Sequence, residues 1–455
     1  MVRSSMIDKI KNHQGQPMKR PFFLLISLVF LVACGSKPVP SASPGSILVD
    51  SDIDLGPISP LVYGSNHGPW TAIPAGMMDY ALDSKVTNLR WPGGEWGDKN
   101  DIKEYQVDQF MTLLDQMGAI STISVRMVDG TPEAAAELVR YVNIEKGYNV
   151  KYWSIGNEPS LYEGRPDVDS FDTERFNREW RAIAEAMKAI DPEILLMGPE
   201  LHGTYTSNFE TNPKDSSGRD WMVEFLEANG DMVDIVTYHR YPFPESNSSG
   251  NATIEDLRQD LPEWTRTVRY LRTLIQEITG RDLPIGVTET NSHWNHAVMG
   301  EATPDSHYNA IWWADALGRM IDEDVFIANY FLLGATGSSA GFGLLAPTNN
   351  VRPTYYVYQL YGRFGSQQVY ASSGVNGLNV YAATDDNGKL TIMIVNTEDT
   401  ALNASLDVSG MKTIKAERRL LDAAHNAEVL GAESISAGEE VSFPEQSVTL
   451  YIIGE

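Results

Sequence analysis

A (β/α)8 barrel followed by an antiparallel β-sandwich is the fold class that this sequence predicts, on three observations. Eight short apolar runs, each ending in polar or glycine residues, alternate with amphipathic stretches from about residue 60 onward. That alternation stops after "RPTYYVYQLYGRFG" (352–365), where period-two strands with turn signals take over. The chain has 455 residues, 42% of them hydrophobic and 21% charged, enough to bury one large core and one smaller one. A doubly wound open sheet is the competing arrangement. No glycine-rich phosphate turn follows the first run, however, and no cofactor is expected.

Residues 1–34 stand apart from the fold. Lys19 and Arg20 precede "PFFLLISLVFLVA", an apolar run too short to span a bilayer, and "LVAC" closes it at Cys34. Either Met1 or Met18 can open this leader. Polar sequence rich in proline and serine follows and reads as a flexible linker over 35–46. The leader resembles a bacterial lipoprotein signal, which implies lipid on Cys34 and attachment to a membrane. Gly35 stands where an aspartate would retain such a protein at the inner membrane, so the resemblance implies the outer membrane or the cell surface. Cys34 is the only cysteine, which excludes internal disulfides. The formal net charge of −26 repels nucleic acid and disfavours a strongly anionic polymer as partner.

The eight runs read as barrel strands in order: "LVYGSN" (61–66), "VTNLRWP" (86–92), "AISTISVRM" (119–127), "VKYWSIGNEP" (150–159), "ILLMGPE" (194–200), "DIVTYHRYP" (234–242), "LPIGVTET" (283–290) and "VFIANYFLL" (325–333). Between them "DQFMTLLDQMG", "PEAAAELVRYVNIEKG" and "FNREWRAIAEAMKAID" repeat apolar residues at helical spacing, and Gly118 supplies a C-cap. The barrel is placed over 57–360. Beyond it, "GLNVYAATDDNGKLTIMIVNT" holds two alternating strands around Asp385–Asp386–Asn387–Gly388, a hairpin signal. The sandwich is placed over 361–455 and is joined by 47–56 from ahead of the barrel.

Chemistry in such a barrel sits at the C-terminal strand ends. The proposed ends present Asn66, Arg90, Asn157, Glu158, Glu200, His239, Tyr241 and Glu289. Two carboxyls across one mouth are what glycoside hydrolysis needs, one protonated to assist the leaving oxygen and one ionised to attack the anomeric carbon. Two nearby carboxyls also resist ionising together, which raises one of them. Glu158 is read as the acid/base and Glu289 as the nucleophile; the gap between them holds three βα units of about 40 residues each.

These residues resemble the retaining glycoside hydrolases of clan A, whose fourth strand ends in Asn-Glu-Pro and whose seventh ends in the nucleophilic glutamate. "NLRWPGGEW" resembles a segment of arabinofuranosidase-like members, and "TYHRYP" the sixth-strand His-x-Tyr of several families. The barrel with an appended sandwich resembles the arabinofuranosidase, β-xylosidase and β-glucuronidase families. The resemblance implies that Asn157 bonds the hydroxyl beside the reacting carbon, that Arg90 supports Glu289, and that His239 and Tyr241 contact the nucleophile and the sugar. Asn66 joins them as a substrate contact. Trp96 and Trp294, with polar neighbours, are candidate sugar platforms, while Trp312 and Trp313 are assigned to the core. His67, His202, His239, His293 and His296 show no metal-ligand spacing, and no metal is expected.

The expected activity is double-displacement hydrolysis of plant or algal wall glycans, arabinofuranosidase- or β-xylosidase-like. An endo-acting glucanase or xyloglucanase of the same clan is the alternative. A non-catalytic glycan-binding lipoprotein is the alternative from another class, and retention of both Glu158 and Glu289 argues against it.

Overall fold

The computed structural model describes residues 40–454 except 167, 204, 206–211, 247 and 338–340. Cys34 and the 1–34 leader lie outside the described residues. Among the described residues no helix is long and apolar enough to cross a membrane.

Strand β1 (Ser46–Pro57) comes first and does not belong to the barrel. The barrel strands follow: β2 (Gly64–Asn66), β3 (Asn88–Trp91), β4 (Ile120–Val125), β5 (Tyr152–Ile155), β6 (Leu195–His202), β7 (Ile235–Arg240), β8 (Ile285–Thr290) and β9 (Ile327–Tyr330). They pair in sequence order, all parallel, and β2 closes onto β9. Seven of them lie within their apolar runs, and β6 continues two residues past its run to His202. The first run is only half strand, because Ser59 caps Leu61 N–H and Pro60 starts a 3-10 turn over Pro60–Tyr63. Helices such as Glu104–Met117 and Thr173–Ile190 bury one apolar face against the strands, and Gly118 ends the former in the left-handed conformation at φ 65°. The helix His307–Asp322 is buried almost all round, with Trp312 and Trp313 both in the core.

After the helix Pro353–Tyr361 the chain forms β10 (Gln367–Ser373), β11 (Leu378–Thr384), β12 (Leu390–Asn396), β13 (Leu402–Val408), β14 (Thr413–Leu421), β15 (Asn426–Ser436), β16 (Glu440–Phe443) and β17 (Ser447–Ile453). With β1 they make one nine-stranded sheet in the order β15-β14-β17-β12-β11-β10-β1-β13-β16. β1 runs antiparallel to β10 and parallel to β13. Residues just ahead of it, read from sequence as linker, are tied to the same sheet: Ala42 N–H donates to Ser372 Oγ at 3.0 Å and Gly45 N–H to Gly374 O at 3.3 Å.

Ser41–Glu455 is one compact unit, and the sheet packs on the helix His307–Asp322. Tyr381 of β11 donates to Asp315 Oδ1 at 2.7 Å, and Arg319 donates to Asn379 at 3.3 Å. A Cβ at Gly318 would stand 2.3 Å from the Tyr381 ring, so only glycine admits this approach.

Candidate active site

β5 ends at Ile155, and the next three residues turn its end inward. Gly156 has φ 81°, and a Cβ there would meet the Met127 Cβ at 2.8 Å. Asn157 N–H is accepted by Asp98 Oδ2 and by the Tyr162 hydroxyl, both at 3.1 Å. Asp98 is buried beneath this turn; burial pushes its carboxyl up to about 6, against the lowering by the Tyr162 hydroxyl bonded to it. Glu158 follows with φ 52°, a left-handed conformation that costs about 1–2 kcal/mol outside glycine. Its N–H is secured on Glu200 O at 2.9 Å, and Pro159 then opens the 3-10 helix Pro159–Gly164. The backbone thus presents the Asn157 and Glu158 side chains together.

Glu289 stands at the end of β8, and one of its carboxylate oxygens lies within 4.8 Å of one of Glu158. Its two oxygens are held separately. Tyr241 donates to Oε1 at 2.6 Å, and Arg90 Nη1 to Oε2 at 3.0 Å. Arg90 also donates from Nη1 to Asn66 Oδ1 at 3.1 Å and from Nη2 to Asn157 Oδ1 at 2.9 Å, and its Nη2 sits 3.1 Å from Glu200 Oε2. One guanidinium therefore fixes three acceptors around the nucleophile candidate. The Asn157 amide, turned by that bond, keeps a buried Nδ2 donor without a protein partner, and the residue lines the cleft.

Glu200 is fully buried and organises the floor. It accepts from Thr237 at 3.0 Å, Thr288 at 2.8 Å and His239 Nε2 at 2.9 Å. Burial pushes its carboxyl up, but Arg90 and the His239 bond outweigh that and bring it to about 2. His239 lies between carboxylates on both sides, with Nδ1 3.1 Å from Glu158 Oε1. Since both neighbours accept, both ring nitrogens carry protons and the ring is an imidazolium. Burial opposes this charge, and Glu289, Glu158 and Glu200 overcome it, raising the ring to about 9. The carboxylates on both sides of the ring and its raised affinity for a proton suit the cluster of Glu158, His239 and Glu289 to acid–base work.

The expectation that crowding raises one of the two carboxyls is not what the structure shows at Glu158. Burial does push it up, but contacts from His202 and His239 reverse the sign and hold it below the usual carboxylate range.

A cleft of about 690 Å³ opens over these carboxyls and is lined by Asn157, Glu158, Tyr241 and Glu289. Trp96 and Trp294 both stand on its wall. Trp294 is 39% exposed and is anchored by an Nε1 bond to Pro244 O at 2.7 Å. Two residues expected to touch the sugar, His239 and Asn66, lie deeper at 0% exposed, beside Arg90 at 1%. Asn66 spends its amide on Thr288 O and Asn329 O, at 3.2 and 3.3 Å, and its oxygen on Arg90. These three reach the cleft only through Glu158, Glu289 and Asn157. Sequence reasoning missed Leu161, His202, His296, Phe331 and Phe342 on the cleft wall. Only the proximity of Leu161 to Asn-Glu-Pro could have signalled any of them.

The profile of glycosyl hydrolases family 39 matches residues 136–422. A β-xylosidase of Geobacillus stearothermophilus is 24% identical over 241 residues, 49% of this chain and 43% of that protein, so the matched stretch spans less than half of that curated relative. Among solved structures, an arabinofuranosidase superposes with a TM-score of 0.71 at 18% identity, over 90% of this chain and 100% of the other. An α-L-arabinofuranosidase from Thermotoga maritima in complex with arabinose gives 0.70 at 19% identity, over 90% and 99%. At these identities the superpositions establish the barrel-and-sheet fold, and the profile match, which covers more than half of the chain, establishes the family: this chain belongs to glycosyl hydrolases family 39.

Proposed function

We propose that the protein is a retaining glycosidase that removes xylose- or arabinose-type residues from plant or algal cell-wall glycans. Facing oxygens of Glu158 and Glu289 within 4.8 Å of each other, across a cleft that both line, carry this reading. Inverting enzymes keep their carboxyls about 6.5–9.5 Å apart to admit a water, whereas about 5–5.5 Å favours direct attack. Glu289, gripped by Arg90 and Tyr241, attacks the anomeric carbon and forms a glycosyl ester. Glu158, which His202 and His239 keep ionised in the free enzyme, takes up a proton as the sugar displaces water from the cleft. It gives that proton to the departing oxygen, then takes one from the water that cleaves the ester. Asn157 Nδ2 donates to the neighbouring sugar hydroxyl. Among the described lining residues there is no lysine or arginine, which supports a neutral sugar over a uronic acid. The xylosidase and arabinofuranosidase relatives point to the same substrate class.

The test is Glu158→Gln on a panel of aryl glycosides and wall oligosaccharides. Substrates with poor leaving groups should lose about 10²–10⁴-fold, while activated aryl glycosides should retain their first step and accumulate the intermediate. Equal loss on both kinds would reject Glu158 as the acid/base. Cleavage within long unbranched glucans by the wild type would move the assignment to an endo-acting enzyme.

The leader supports a second part of the proposal: Cys34 carries lipid and places the enzyme on the outer membrane or the cell surface. Metabolic labelling with a fatty-acid probe should mark the wild type, and Cys34→Ser should abolish the label and release the protein to the soluble fraction. A native protein that is soluble and unmodified at residue 34 would overturn it.

A further inference from the structure

Glu158 Oε1 lies between two imidazoles, with His239 Nδ1 at 3.1 Å and His202 Nδ1 at 3.5 Å. Among the described residues no other side chain bonds this carboxyl, and Oε2 is left without a protein partner. The two rings differ in access. His239 is fully buried and pinned by Glu200, whereas the His202 side chain is 33% exposed and lines the cleft.

The backbone holds His202 in place independently of its ring. β6 slips register against β7 between Pro199 and Leu201, with Glu200 in the left-handed region at φ 58°. Past that bulge, Glu200 O accepts Glu158 N–H at 2.9 Å, and His202 O accepts the Ser160 hydroxyl at 3.5 Å. The end of β6 and the turn that carries Glu158 are therefore tied on both sides of the carboxyl.

We propose that His202 is a positioning residue for the acid/base: its Nδ1–H holds Glu158 Oε1 from the solvent side and leaves Oε2 to carry the proton to the departing oxygen. This rests on the reading of Glu158 as the acid/base. With His239 bonded to Oε1 at 3.1 Å and His202 Nδ1 crowding the same oxygen at 3.5 Å, a protonated Glu158 carries its proton on Oε2. The other charged or titratable groups around Glu158 are Glu289 across the cleft, Arg90 and Glu200 beneath it, and Tyr205 and Tyr241 on neighbouring segments. Of the two rings that touch it, only His202 reaches solvent. A donor to the carboxylate favours its ionised form, so loss of His202 raises Glu158's affinity for its proton and moves the basic limb of activity to higher pH.

Three variants test this on one activated aryl glycoside and one oligosaccharide of the same sugar, with kcat/KM followed against pH. His202→Leu removes the donor and should lose about 10–100-fold on the oligosaccharide but only about 2-fold on the aryl glycoside, with the basic limb displaced upward. His202→Asn places a neutral amide donor near the Nδ1 position and should recover most of the oligosaccharide rate and bring the displaced limb part of the way back. Glu158→Gln, run in parallel, separates the two levels of the argument. If it fails to discriminate between the leaving groups, the acid/base reading falls and this inference with it. If it discriminates while His202→Leu keeps the wild-type leaving-group dependence and pH profile, the inference alone is wrong. An Asn variant as impaired as the Leu variant would also overturn it, since a donor would then not be what matters.

Discussion

Glu289→Gly is expected to lower turnover by at least about 10⁴-fold while the protein stays folded. The side chain removed is the atom source of the covalent step, and no neighbour can replace it: Tyr241 is a neutral hydroxyl, and Glu200 is sealed under Arg90 and His239. Folding tolerates the change because one of three crowded carboxylates is gone while Arg90 keeps Glu200 as its partner. The glycine leaves a space beside Arg90 that a small anion can enter. Azide or formate should therefore restore part of the turnover on activated aryl glycosides, with azide yielding a glycosyl azide of inverted configuration. Product NMR early in the wild-type reaction should show retention. Inversion in the wild type, or a near-normal rate in the variant, would remove Glu289 from the mechanism.

Arg90→Met should have the largest combined effect on stability and rate. The guanidinium is 1% exposed and faces both Glu200 and Glu289, so its loss leaves His239 as the one buried cation beside two buried carboxylates. Breaking a buried pair of this kind costs about 3–5 kcal/mol. The deficit should depend on pH. In the wild type Glu200 titrates near 2 in the fold against an ordinary 4.5, so its contribution is present above the unfolded value and is lost as pH falls toward 2. Without Arg90, His239 and Thr288 are left to oppose the burial that pushes the Glu200 carboxyl up, and that contribution shrinks. Denaturation measured at pH 7 and again at pH 3.5 should show the gap between the two proteins narrowing in acid. Activity at pH 7 should fall by about 10²–10³-fold, as for loss of a preorganised donor at developing charge. A stability gap of the same size at both pH values would mean that Arg90 acts through packing and not through charge.

Much of the site was readable because strand ends carry strong local signals. Asn157, Glu158, Arg90, His239, Tyr241 and Glu289 all sit where an apolar run meets polar residues, and the closed barrel brings those ends to one mouth. Depth was not readable. Period two tells whether a side chain points inward, but not how far along the barrel axis it lies, so Asn66, Arg90 and His239 could not be told from cleft-facing residues. His202 was hidden for another reason. Its placement depends on the register slip at Glu200, a left-handed residue that no pattern of hydrophobicity announces. Phe331 and Phe342 come from the segment after β9, where loop geometry and not periodicity decides which face is shown.

The position of β1 also governs how the chain is assembled. This strand leaves the ribosome ahead of the whole barrel, yet both of its partners, β10 and β13, are made after it. At about 5–20 residues per second, the roughly 300 intervening residues take about 15–60 s to synthesise. Throughout that interval an alternating strand with Ile47 and Val49 waits without a neighbour, a sticky edge open to other nascent chains. When β10 and β13 arrive, they lock the two ends of the barrel's chain side by side, as a clasp closes a bracelet. The barrel then cannot fray from either end without first opening the sheet, and the sheet cannot be completed by a polypeptide that begins after residue 57.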